Sequence, residues 1–316
     1  MKKVMSLFLI VSLFAFIGCG SDETEEVNEF EVLVNYLEKG DMDYQGWVNN
    51  LDGWILHEGN WGDSTQTYDD YYILDFRSEE SFNQMHIPNA HRVTLATMFD
   101  EAAKADKKIL CVCYTGQTAA YAHMLLRLKG YEAYNLKFGM SGYAKSLDKW
   151  TSNCSSKFSN DANWVTTASP TLPEFDYPKL NTGKTEAKDI LDARIQAAIE
   201  AWPAEMLITA DNAMADKDDY NIVNYWSETD YIGLGHIDGS YQVTPKTLKT
   251  SENLKVFDPK GENILYCYTG QTAAASIAYL KVLGYDVKSI KFGTSAMIWD
   301  KLNEAGKPRW PKPYGD

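Results

Sequence analysis

Positive charge is in deficit. Thirty Lys and Arg stand against 44 Asp and Glu, a formal net charge of −14, which makes nucleic acid a poor partner. Cysteine is scarce too: five in 316 residues cannot supply a disulfide-built scaffold for so long a chain. Histidine is equally sparse, at five, and without companion ligands nearby no metal site is expected. Long apolar runs are missing as well. The one extended run, Val4 to Gly18, is short for a membrane-crossing helix. It follows Lys2 and Lys3, an order typical of a secretory signal. With 45% apolar residues the chain is that of a folded protein. The roughly 300 residues beyond the run suffice for two ordinary domains.

What is present is a repeat. CYTGQTAA begins at Cys113 and recurs letter for letter at Cys267, an offset of 154 residues. The likeness extends outward, with Ile109 to Tyr143 lying against Asn263 to Met297. Each copy reads as buried strand, Gly-containing loop, Ala- and Leu-rich helix, and a glycine cap at Gly130 or Gly284. A second apolar strand follows, so each copy holds a βαβ unit with parallel strands. Upstream, Tyr71 to Val93 pairs with Tyr220 to Val243: strand, Ser-Glu helix start, then a His-Ile turn at His86 or His236. Residues 151–188, rich in Ser, Thr, Asn and Pro, read as a linker wrapping between domains. The expectation is a tandem α/β protein, each domain a mostly parallel sheet flanked by helices, at 29–150 and 189–316.

The loop has a physical reading. A cysteine at the end of a buried parallel strand is delivered to the rim where open α/β folds place ligands. Curling from strand to helix turns backbone N–H groups inward, and the following helix adds its positive end. Gly116 and Gly270 supply backbone angles that other residues resist. Together these features are expected to lower the thiol pKa and hold a thiolate or bound anion. The loop carries no histidine and needs none.

These residues resemble the rhodanese family, the thiosulfate sulfurtransferases and their relatives. Its active loop is a cysteine followed by five residues with Gly in the middle and Arg or Thr last. Cys113-Tyr114-Thr115-Gly116-Gln117-Thr118 fits it, and so does Cys267-Tyr268-Thr269-Gly270-Gln271-Thr272. The family's upstream Asp-x-Arg appears as Asp75-Phe76-Arg77 in the first copy and as Asn224-Tyr225-Trp226 in the second. The resemblance implies a double displacement. A sulfur donor such as thiosulfate, a persulfide or a polysulfide loads the cysteine, and a thiol or other nucleophilic acceptor unloads it. Cys113 and Cys267 would be the catalytic residues and the ten loop residues after them the anion cradle. No metal or organic cofactor is implied. Asp75 and Arg77 would brace strand and loop.

Departures from the family pattern shape the expectations. Many active members carry a basic residue in the loop, where this chain has tyrosine and threonine. The nearest repeated cations are Lys137 and Lys291, read either as reaching the mouth of each site or as solvated strand-end lysines. The loss of Asp and Arg in the second copy suggests relaxed geometry there. His86 and His236 read as residues that hold their turns. Cys111 reads as a core thiol, Cys154 as an incidental thiol, and His123 as a packing residue. A phosphatase reading is set aside, because Thr118 and Thr272 cannot clamp phosphate as an arginine does.

At the N-terminus, Phe16-Ile17-Gly18-Cys19 resembles the bacterial lipobox. That implies a signal peptide at 1–18 and lipidation of Cys19, against an ordinary cleaved signal that happens to contain a cysteine. The small, acidic residues 19–28 suit a flexible tether. The expected product is a lipid-anchored sulfurtransferase of the cell envelope, on the periplasmic face or outer membrane where a cell has two membranes. The competing reading is a non-catalytic binding or carrier module in an envelope redox assembly.

Overall fold

The computed structural model describes residues 27–39 and 67–313. The signal peptide, Cys19, most of the tether and most of the Leu51–Asp70 stretch, which carries no interpretable motif, lie outside the described residues. Among the described residues no helix is long and apolar enough to cross a membrane.

After helix α1 (Glu29–Lys39), the first copy runs β1 (Tyr71–Asp75), α2 (Glu79–Gln84), β2 (His91–Arg92), α3 (Met98–Ala102), β3 (Lys108–Val112), α4 (Gln117–Leu128), β4 (Ala133–Asn135) and α5 (Met140–Tyr143). A short strand, β5 (Trp164–Val165), follows. The second copy runs α6 (Ala187–Ala201), β6 (Leu207–Ile208), α7 (Ala210–Ala215), β7 (Asn221–Asn224), α8 (Glu228–Leu234), β8 (His236–Ile237) and β9 (Tyr241–Gln242). It ends with β10 (Asn263–Tyr266), α9 (Gln271–Val282), β11 (Val287–Ile290) and α10 (Trp299–Glu304).

The first sheet has the order β2-β1-β3-β4 and the second β6-β11-β10-β7-β9, with every neighbouring pair parallel. The fold is therefore the expected one, two α/β units with parallel sheets flanked by helices. Ser78 and Ser227 start α2 and α8 by accepting the N–H groups of Ser81 and Asp230. Gly130 and Gly284 follow α4 and α9 with φ of 89° and 104°, a left-handed exit that spares a side chain.

Helices α4 and α9 are buried on nearly every face because they pack on each other as well as on their own sheets. Tyr121 on α4 also donates its hydroxyl to the Ala198 carbonyl on α6 (2.7 Å). The chain ends cross over. Phe30 on α1 stacks on Tyr177 at 4.8 Å, and Glu29 accepts the N–H groups of Thr182 and Gly183, both at 2.7 Å. Near the other end, Trp310 packs on Phe138 and Trp150 of the first copy. Residues 151–188 are not a bare connector: β5 pairs antiparallel with β8.

Candidate active site

Strand β3 delivers Cys113 to the sheet rim, Gly116 turns the chain at φ 80°, and α4 begins at Gln117. The N–H groups of Gly116 and Ala119 point at Cys113 Sγ, at 3.1 and 3.4 Å. In the second copy Gly270 turns at φ 70° and the Ala273 N–H points at Cys267 Sγ (3.4 Å). Two loop N–H groups thus face the first sulfur and one the second.

Their electrostatics need a correction. Cys113 is 5% exposed and Cys267 3%. Burial pushes both thiols above their ordinary value. The loop amides, from Ala119, Thr115, Gly116 and Thr118 in the first copy, pull the other way without overcoming it. The expected lowering of the thiol pKa is not met, because burial takes both sulfurs out of water and outweighs the loop amides.

A tight turn holds each loop from below. Met140 N–H donates to the Cys113 carbonyl (2.8 Å), and Ser141 donates its N–H and hydroxyl to the Tyr114 carbonyl at 3.0 and 2.7 Å. Gly139, at φ 60°, comes so close that a Cβ there would sit 2.2 Å from the Cys113 carbonyl oxygen. The second copy repeats this, with Thr294 N–H on the Cys267 carbonyl at 3.0 Å and Ser295 N–H on the Tyr268 carbonyl at 2.9 Å.

Not every cradle residue serves its own sulfur. Gln117 Oε1 accepts the N–H of Phe292 (2.8 Å), and Gln271 Oε1 accepts the N–H of Phe138 (2.9 Å), so both side chains are committed across the domain junction. Their amide nitrogens donate back to Thr115 and Thr269 at 3.1 and 3.3 Å. Thr118 and Thr272 are half-buried at the rim.

The bracing pair is in place. Arg77 donates Nε to both Asp75 oxygens (3.0 and 3.1 Å) and Nη2 to Asp75 (2.6 Å) and to the Met85 carbonyl (2.7 Å). Its guanidinium lies 5.3 Å from the ring centre of Tyr114. In the second copy Trp226 stacks on Tyr268 at 4.6 Å. The indole takes the place of the guanidinium against the loop tyrosine, but Trp226 Nε1 and the Asn224 amide are buried without a hydrogen-bond partner, so the polar brace of the first copy is not reproduced. Tyr268 donates its hydroxyl to Asp230, which also pairs with Lys307 at 2.6 Å.

A cleft of about 570 Å³ opens beside Thr118. Arg77, Arg92 and Thr94 line it from the first copy, and Gln196, Ile199 and Trp202 from α6 and its end. Lys137 does not line it, its Nζ sitting over the Phe138 ring at 5.5 Å, and Lys291, in the second copy, is exposed. The exposed cation at this rim is Arg92, which the sequence reading missed. Its signal was available, a cation on the strand that pairs in register with Asp75, where the second copy has Gln242. The α6 wall had no such signal, since it comes from the other half of the chain.

The three candidate histidines meet backbone carbonyls through Nδ1 rather than either sulfur. His86 is exposed, stacks on Phe82 at 4.0 Å and meets the Phe82 carbonyl through Nδ1 (2.8 Å). His236 is buried, with Nδ1 on the Tyr231 carbonyl (2.9 Å), and burial holds its pKa below the ordinary value. His123, within α4, is pushed down to about 3 by burial and by nearby Arg127. Cys111 is fully buried, which pushes its thiol well up, and Cys154 is half-buried. Among the described residues no cluster of three or more His, Cys, Asp or Glu is placed to hold a metal.

No curated protein matches the sequence. Solved structures similar to parts of it include a rhodanese-like domain protein from Staphylococcus aureus, 26% identical over 23% of this chain and 74% of that one, TM-score 0.22. A thiosulfate sulfurtransferase from Pseudomonas aeruginosa is 14% identical over 91% of this chain and 49% of its own, TM-score 0.29. A polysulfide-sulfur transferase from Wolinella succinogenes is 17% identical over 40% and 92%, TM-score 0.26. At such TM-scores these likenesses establish nothing further about this chain. The family model for the rhodanese-like domain, however, matches residues 60–146 and 208–298, more than half of the sequence. Both matches contain the cysteine loop, its cradle and the turn beneath it, and the chain belongs to the rhodanese-like domain family, one domain in each half.

Proposed function

We propose that the protein is a sulfurtransferase that passes a sulfane sulfur through a cysteine persulfide, with Cys113 as the donor-facing site. The observation that carries this reading is the pair of loop N–H groups, from Gly116 and Ala119, directed at Cys113 Sγ. With thiosulfate as donor, the thiolate attacks the outer sulfur, a new S–S bond forms, and the old one breaks with its electron pair leaving on sulfite. An acceptor thiolate then attacks the outer sulfur of the persulfide, and the electron pair returns to Cys113. The inward amides stabilise negative charge at each stage. Arg92 lines the cleft beside Thr118 together with Glu200, so the charge of the donor that enters it is left to the loading experiment.

One observation favours the second reading, a carrier or binding module: both sulfurs are almost wholly buried. Intact-protein mass separates the two. The signal-free protein is incubated with thiosulfate and, separately, with polysulfide, beside Cys113→Ser and Cys267→Ser. A gain of one sulfur, lost with Cys113→Ser, supports transfer, whereas no gain from either donor on either cysteine gives the carrier reading the lead. We also propose export and lipidation at Cys19, on the strength of Lys2, Lys3, the apolar run and the Phe-Ile-Gly-Cys ending. The same measurement on full-length protein from its native membrane reads this directly: an unlipidated N-terminal fragment overturns it.

A further inference from the structure

The two cysteine loops meet at one junction. Phe138 and Phe292, the residues before Gly139 and Gly293, both hold left-handed backbone, at φ 63° and 62°. Neither is glycine, so each conformation must be held by its surroundings. Their N–H groups are held from the opposite domain, Phe138 by Gln271 and Phe292 by Gln117. Gln271 Oε1 also accepts from Asn135 (3.4 Å) and lies 2.3 Å from where a Gly116 Cβ would be. Both phenylalanine rings pack edge-on against one indole, Trp150, at 5.3 and 5.0 Å. Trp150 in turn donates Nε1 to the Thr115 carbonyl within the first loop (3.2 Å).

We infer that Gln271 is a positioning residue for Cys113, and Gln117 one for Cys267, so that each loop sets the reactivity of the sulfur in the other domain. The path is short. Gln271 fixes Phe138, whose turn presents Gly139, Met140 and Ser141 to the carbonyls of Cys113 and Tyr114. Those carbonyls orient the loop whose N–H groups face Sγ. Without the glutamine the Phe138 N–H is left without its acceptor in a buried setting, the turn relaxes, and the amides lose their alignment on the sulfur.

The inference rests on Cys113 and Cys267 being the reacting thiols, and thiol alkylation reads it independently of sulfur loading. In a Cys154→Ser/Cys267→Ser background, the alkylation rate of Cys113 is followed against pH by peptide mass spectrometry, with and without Gln271→Leu. The expected result is a midpoint moved to higher pH by about one unit, hence a rate about tenfold lower at pH 7. The mirror experiment, Gln117→Leu in a Cys154→Ser/Cys113→Ser background, should move Cys267 in the same sense. A Cys113 profile within twofold of the parent at every pH, in a folded Gln271→Leu protein, overturns the inference. Should that variant not fold, Gln271→Asn keeps the amide but withdraws it from Phe138. The same shift then supports coupling, and an unchanged profile overturns it. Failure of sulfur loading with intact trans effects would count against the transferase reading alone.

Discussion

Exchanging the bracing pair between the two copies is the most informative perturbation. Asp75 and Arg77 are each about 1% exposed at the side chain, and two carboxylate oxygens share the guanidinium with the Met85 carbonyl. Asp75→Asn keeps one acceptor oxygen but turns an NH₂ toward the guanidinium and strands its charge. Removing one partner from a buried pair costs about 3–5 kcal/mol, and the retained amide oxygen places this case near ~3 kcal/mol. At a denaturant slope of about 3 kcal/mol per M, the urea midpoint should fall by about 1 M. In the second copy Asn224 and Trp226 stand at these positions, and the indole stacks on Tyr268 at 4.6 Å. Arg77→Trp added to Asp75→Asn should therefore recover part of the loss. We expect a favourable coupling of at least about 1.5 kcal/mol between the two substitutions. A midpoint shift under ~0.5 M for Asp75→Asn, or simple additivity in the double variant, would refute the view that the two pairs are alternative braces for one tyrosine.

Two further outcomes follow from the same geometry. Gly139→Ala should abolish Cys113 loading while leaving Cys267 less affected, because the added methyl meets the Cys113 carbonyl at 2.2 Å and φ is 60°. Site-resolved alkylation checks this, and an unchanged Cys113 profile would contradict it. Lys307→Met should lower stability at neutral pH by about 1 kcal/mol or less, given partial exposure. Burial raises the Asp230 pKa, but Lys307 and Tyr268 outweigh it and hold it below the usual 3.8. The stabilisation from this depressed carboxyl is thus present above the unfolded value and is lost as pH falls through the folded one. Urea midpoints of parent and variant should converge as pH falls below the depressed Asp230 pKa, and a gap that persists in acid would show that Lys307 acts by packing.

Much of this molecule was legible in its sequence because the signals are local. Strand, glycine turn and Ala-rich helix follow one another within some twenty residues, and the 154-residue offset repeats them, down to Gly116/Gly270 and Gly130/Gly284. What escaped depends on residues far apart in the chain. The donors around Cys113 follow from its loop. The depth of burial that outweighs them follows from tertiary packing, which no local pattern encodes. Gln117 and Gln271 look like cradle residues from their position, yet their acceptors serve Phe292 and Phe138, more than 130 residues away. Arg92 was within reach of a register argument. Trp202 and Gln196, arriving from the second copy, were not.

The crossed glutamines have a consequence for how the chain arose. Each half carries both the amide that reaches out and the Phe-Gly turn that receives it. An interface with both sides on one surface is isologous, the kind by which identical subunits pair about a two-fold axis. The crossed amides are thus present in both halves, whereas the indole between the two phenylalanines, Trp150, comes from one half alone. Carrying both halves on one chain makes their encounter intramolecular, at a local concentration set by the connecting segment. It also placed the eight-residue loop under two obligations at once, to its own sulfur and to its neighbour's turn. That double duty gives a physical reason for CYTGQTAA to stay identical in both halves while the bracing pair beside it drifted from Asp and Arg to Asn and Trp.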